Sequence, residues 1–191
     1  MAPRPHDSAG RDVPRDGWIA AAAAPLSGAR LRHRLVLAAP TVGDVVQAAG
    51  GLIFDRMIAG WHVLVLVAEP GDQRPLQVLG AVALDLESAL ASPLRGPRPH
   101  AIAVAADLYH AHRQIRDRLH VTADGSPAEV RLWGHGDPGS RSDRTASRYR
   151  PSAAARAFKT QALMAASQPP GLAPEAEVFH SLGAVRTLAG V

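Results

Sequence analysis

Few residues in this 191-residue chain have side chains suited to chemistry, and their spacing narrows what that chemistry is. There is no cysteine, which excludes disulfides, thiolate metal sites and cysteine nucleophiles. Serine, histidine and aspartate all occur, but no G-x-S-x-G elbow does, so a serine hydrolase has no support. Nine histidines are the main acid–base and metal-binding groups. His110, His112 and His120 crowd one segment, yet on a helix residues 110 and 112 leave different faces and cannot chelate as an i, i+4 pair does. They read as solvated surface histidines. His135 differs: in "LWGHGD" (132–137) the chain leaves a strand for a loop, which brings Trp133, His135 and Asp137 to the end of a sheet where binding groups belong. His135 is therefore the best single candidate for a polar binding role.

Asp44 is the one ionisable residue of "APTVGD" (39–44), a stretch that follows a short apolar run. An aspartate at a helix start commonly serves as an N-cap, and that reading is preferred for Asp44 over a ligand role. Gly50 and Gly51 lie inside a helical pattern and not in a G-x-G-x-x-G loop opening one, so close helix packing is expected of them and not phosphate contact. Arg141, Arg144, Arg148 and Arg150 fall in a polar segment (135–151) that reads as a solvated loop or lid, although together they could clamp an anion.

The elements that must position these residues follow from apolar patterning. "HRLVLAA" (33–39) and "WHVLVLVA" (61–68) are continuous apolar runs, as buried parallel strands are. Between them Val45, Ala48, Ala49, Leu52, Ile53 and Met57 make an apolar helical stripe, closed by Gly60. A βαβ unit results, and the expected fold is α/β, a three-layer Rossmann-like, mainly parallel sheet with helices on both faces. "AVALDL" (81–86) and "AEVRLWG" (128–134) are further strands, His100 to about His120 a helix, and Ser152 caps a last helix to about Ala166. The stretch after it, 167–185, reads as mostly irregular.

Composition bounds the rest. With 47% hydrophobic and 20% charged residues, one domain over 31–191 is expected, preceded by a flexible tail over 1–30. The net charge is +4, and all but one of the 21 basic residues are arginine, the exception being Lys159. With 4% aromatics and no dense basic stripe, nucleic-acid binding is not expected. No apolar run is long enough for a membrane span. "WIAAAAAPL" (18–26) is a weak match to a signal peptide, because Asp7, Asp12 and Asp16 offset Arg4, Arg11 and Arg15, so a cytoplasmic location is expected.

Several phrases together resemble the PIG-L or LmbE-like family of zinc-dependent N-acetylglucosaminyl deacetylases. "AGGLIFDRMIAGWHVLVLVAE" (49–69) is similar to the family's helix with a glycine pair and the strand after it, "PLQVLGA" (75–81) to its element before the third strand, "HAIAVAADL" (100–108) to the helix after its later histidine motif, and "AAARAFKTQAL" (153–163) to its lysine-bearing helix. The family's loop reads His-Pro-Asp-Asp-Glu. In the register of Gly50-Gly51, its metal-binding histidine falls on Thr41, its proline on Val42, its general-base aspartate on Gly43 and its metal-binding aspartate on Asp44. A later metal-binding histidine falls on His100, where Arg98 and Pro99 depart from the family's lead-in.

What the resemblance implies is a degenerate member. A catalytic zinc keeps three protein ligands and an open position, whereas Asp44 with His100 supplies two and Gly43 cannot act as a base. The expectation is a non-catalytic binding or regulatory protein with Thr41, Asp44, His100 and His135 as candidate ligand-binding residues. No cofactor is expected, and the partner is an unknown small molecule or protein. One alternative is an active N-deacetylase of an amino-sugar, with a rearranged zinc site drawing on Asp44, His100 and His135. The other is a Rossmann-like nucleotide binder, which lacks its glycine fingerprint.

Overall fold

The computed structural model of the chain describes residues 33–91, 99–123, 129–134, 146–169 and 174–182. The tail expected over 1–30 lies outside them. Among the described residues seven strands form one sheet: β1 (Arg34–Thr41), β2 (His62–Glu69), β3 (Ala83–Asp85), β4 (Ala101–Ala105), β5 (Glu129–Trp133), β6 (Ala146–Tyr149) and β7 (Glu177–Ser181), in the order β3-β2-β1-β4-β5-β7-β6. β1 to β5 are parallel, and β7 and β6 add on antiparallel. The expected α/β sheet is present, mainly parallel.

Six helices accompany it among the described residues: α1 (Val42–Ile58), α2 (Arg74–Val78), α3 (Leu86–Ala91), α4 (Ala106–Ala111), α5 (Arg113–Ala123) and α6 (Ala153–Ala165). α1, α2 and α6 pack together, while α3 lies on β2 and β3 and α4 on β4 and β1. The core is aliphatic: Leu35, Leu37, Val65 and Val67 of the central strands meet Val45, Ala49 and Ile53 of α1 and Leu163 of α6, all almost fully buried. Gly60, at φ +80°, ends α1 in a Schellman arrangement, with Gly60 N donating to Met57 O and Trp61 N to Arg56 O.

Four expectations need correction. There is no loop between the first strand and its helix: β1 runs to Thr41 and α1 begins at Val42. Residues 101–105 are a strand and not the start of a long helix, because they are flanked by β1 and β5, which supply backbone partners on both sides. Residues 146–149 leave the expected loop to form an edge strand that includes Arg148, and 177–181 leave the expected irregular tail to form β7. Both owe their order to pairing with distant strands, for which a local pattern carries little signal.

Candidate functional site

In a sheet ordered 3-2-1-4-5 the direction of winding reverses between β1 and β4, and the carboxyl ends of these two strands are where an open α/β sheet forms its crevice. On the β1 side stand Thr41 to Asp44; on the β4 side stand Ala105 and the first turn of α4, with Asp107. Thr41 is the N-cap of α1, in extended conformation, and its Oγ1 accepts from the Asp44 amide at 3.2 Å. The same hydroxyl donates to Asp44 Oδ2 at 2.7 Å. The expected capping role of Asp44 is thus held by Thr41, with Asp44 as its partner in the third helical position, much as in a capping box. Glu69 is the register partner of Thr41 on β2, so it stands at the same edge.

Between these residues Gly43 leaves a space that the chain itself fills. A Cβ on Gly43 would lie 2.6 Å from Gln168 Nε2 and 3.7 Å from Thr41 Oγ1. Gln168 follows the C-terminal turn of α6, and its Oε1 is buried with no hydrogen-bond partner among the described residues.

His100 does not join this group. It precedes β4 at the opposite, amino edge of the sheet, where its amide donates to Arg34 O at 2.9 Å and its Nδ1 accepts from Arg34 N at 3.1 Å. From Arg34 to Thr41 is the whole length of β1, roughly 20 Å at strand rise. His100 instead packs with His33 and Trp61, ring centroids 4.5 Å and 6.4 Å away, and Arg56 lies 4.5 Å over the Trp61 ring. The pairing of Asp44 with His100 is therefore overturned by topology. His135 lies outside the described residues, as do Arg141 and Arg144.

Among the described residues, His112 does reach the carboxyl edge. Between α4 and α5, it lines a cleft of about 250 Å³ with Ala68 from the end of β2, Leu86, Glu87 and Leu90 of α3, and Gln114. It is exposed, as the sequence suggested of the histidines around 110. The signal that could have raised it was the strand at 101–105, which moves the βα connection to residues 105 and 106, past His100.

Beneath the crevice, α1 is held from below. Glu177 of β7 places its carboxylate in the middle of that helix, Oε1 accepting from Gly51 N at 2.7 Å and Oε2 from Leu52 N at 2.9 Å. Lys159 of α6 completes the group, its Nζ donating to Glu177 Oε1 at 2.6 Å. Burial pushes the Glu177 carboxyl above the ordinary value against the pull of the Lys159 ammonium and the two amides. One turn along, Asp55 accepts from Tyr149 Oη at 2.7 Å, from Ser152 N at 3.0 Å and from Ser152 Oγ at 2.6 Å. Burial raises the Asp55 carboxyl, but the Ser152 and Tyr149 hydrogen bonds and the Arg56 charge outweigh it and hold the group below its usual range. Burial and the Asp55 carboxylate push the Tyr149 phenol up.

The zinc that the resemblance implies does not fit the described residues. Thr41 and Asp44 are bonded to each other, Gly43 offers no donor, His100 is at the wrong edge, and no group of three or more His, Asp or Glu among the described residues could hold a metal ion. Nor, among the described residues, is any helix long and apolar enough to cross a membrane.

No protein-family profile matches the chain, and no curated protein matches it in sequence. Solved structures do match. A triple mutant of the deacetylase of teicoplanin biosynthesis is similar at TM-score 0.55 and 14% identity, over 78% of this chain and 97% of that one. The conserved protein TT1542 from Thermus thermophilus is similar at 0.50 and 17%, over 82% and 98%. GalB, the 4-carboxy-2-hydroxymuconate hydratase from Pseudomonas putida KT2440, is similar at 0.50 and 12%, over 78% and 96%. At these identities the likeness is one of architecture, and the chain has the LmbE-like deacetylase fold that the sequence phrases suggested.

Proposed function

We propose that the chain is a non-catalytic, cytoplasmic binding or regulatory protein built on a deacetylase-type fold, taking a small molecule or a partner segment at the carboxyl edge of its sheet. One observation carries the reading: the position that the resemblance gives to a general base is Gly43, and the space beside it is taken by the Gln168 amide. An attacking water needs a base within hydrogen-bond reach, and neither an amide nor a glycine can take its proton. Thr41 and Asp44 are committed to capping α1. The similarity to a hydratase as well as to deacetylases supports separating this fold from any one reaction. The experiment is to incubate the purified protein with N-acetylglucosaminyl substrates, with and without added zinc. No acetate release is expected; release abolished by Asp44→Ala would overturn the reading.

A second reading has an observation of its own. Glu87 and His112 both line one cleft at the carboxyl edge, and carboxylate and imidazole are the side chains that general acid–base catalysis uses most. On that reading the chain is a hydrolase with a rearranged site, and any activity found should vanish in His112→Ala and persist in Asp44→Ala.

A further inference from the structure

The C-terminal turn of α6 has three features that its role as a helix end does not require. Ser167 has φ 56°, the one positive φ at a non-glycine residue among those described. It occupies the left-handed position of a Schellman motif, with Ser167 N donating to Met164 O at 3.0 Å and Gln168 N to Leu163 O at 2.9 Å. Glycine is usual there because an L side chain is strained in that region. Next, Gln168 aims its side chain at Gly43, with Nε2 where a Cβ would come within 2.6 Å. Last, burying its Oε1 leaves that atom without a partner among the described residues, a cost that a solvent-facing rotamer would avoid. A strained residue and an orphaned acceptor beside the start of α1, at the carboxyl end of β1, point to a contact that is held but not optimised.

We propose that Gln168 is an intramolecular stopper: it closes the crevice between β1 and β4 by lying over Gly43, and the crevice opens when the C-terminal turn of α6 lets the side chain swing out. The inference rests on the reading that this crevice is where the protein binds, and it adds how access is controlled. Gly43 is what permits closure, since any side chain there would meet the amide. Pro169 restrains the residue before it to extended conformations, which keeps Gln168 out of the helix and pointed along this path. A ligand entering the crevice would have to displace the amide. Its apparent affinity would then be lowered by the fraction of molecules that are closed.

The test uses the absence of cysteine from the chain. Thr41→Cys puts a single thiol at the crevice, and its alkylation by iodoacetamide in the folded protein reports access. Thr41→Cys with Gln168→Ala should react at least about tenfold faster than Thr41→Cys alone, the ratio expected where the closed form dominates. Equal rates would overturn the proposal. Since Thr41→Cys also alters the cap, amide hydrogen exchange is compared in the cysteine-free wild type and Gln168→Ala. Faster exchange confined to residues 42–44 supports a stopper. Unchanged exchange, or faster exchange that extends to Gly51 and Leu52, would overturn it, the latter because Gln168 would then be a packing residue of the whole helix. Acetate release by the wild type would sink the non-catalytic reading and leave the alkylation ratio as it is, so the two ideas fail separately.

Discussion

Glu177 and Lys159 meet at 2.6 Å in the interior, with side chains 0% and 1% exposed, and their ion pair is inserted into the middle of a helix over a hundred residues upstream. A mid-helix amide ordinarily donates to the carbonyl four residues back. Here the amides of Gly51 and Leu52 donate to a carboxylate from β7, so α1, α6 and the last strand depend on one another. Lys159→Met should therefore destabilise strongly, by about 3–5 kcal/mol, because it leaves a buried carboxylate without its counter-charge. Urea denaturation measures it; a loss under about 1 kcal/mol would mean that the two amides suffice.

The glycine pair makes that insertion possible, and the two positions should respond unequally. A Cβ on Gly51 would come within 2.5 and 2.6 Å of Pro151 ring carbons, which cannot rotate away. On Gly50 it would sit 3.2 Å from Lys159 Cγ, part of a stem with some freedom. Gly51→Ala should cost about 1–3 kcal/mol through overpacking. Gly50→Ala should be nearer neutral, since alanine's helix propensity offsets part of the crowding by up to about 1 kcal/mol. Thermal melts of the two variants would reverse the assignment of the tighter contact if Gly50→Ala melted lower.

How much of this was legible depended on whether the cause was local. β1, α1 and β2 were read from apolar runs that are buried on one or both faces, and Gly50 and Gly51 were read as packing glycines because they interrupt a helix instead of opening it. "AIAVA" (101–105) was misread because alanine suits a helix and only the flanking β1 and β5 make it a strand. The resemblance placed His100 among the candidate binding residues, and the reading of one helix over 100–120 left His112 aside. Glu177 gave no signal at all. In "APEAEVFHS" (173–181) it looks like a surface residue, and what holds it in the interior is a lysine on another helix and the amides of Gly51 and Leu52, far away in sequence. Gln168 was equally silent, since nothing near it in sequence points to Gly43.

Two carboxylates on the α1 seam should give opposite pH dependences. The Asp55 carboxyl is held below its usual range in the folded state, so its contribution is present above the unfolded value, about 3.9, and is lost as pH falls through the lower folded value. Glu177 is raised by burial, so its contribution is present below the unfolded value, about 4.3, and is lost as pH rises through the folded one. Asp55→Asn should therefore weaken the loss of stability on acidification below about pH 4. Measuring denaturation midpoints from acid to neutral pH in both proteins checks it, and parallel curves would show that Asp55 does not differ between the two states.

The pairing of Thr41 with Asp44 predicts a coupling that bears on function. Thr41→Val keeps the shape and removes both hydrogen bonds, so it should cost about 1 kcal/mol, as loss of an N-cap does. Asp44→Ala should cost less, because the Asp44 amide can still donate to Thr41 Oγ1. If the two side chains act as one cap, the double variant should be less destabilised than the sum of the singles, with a coupling of at least about 0.5 kcal/mol. Additive losses would mean that the 2.7 Å contact contributes nothing in solution. Asp44 would then be a carboxylate at the switch point free to meet a ligand, and its role in the proposed function would pass from capping to binding.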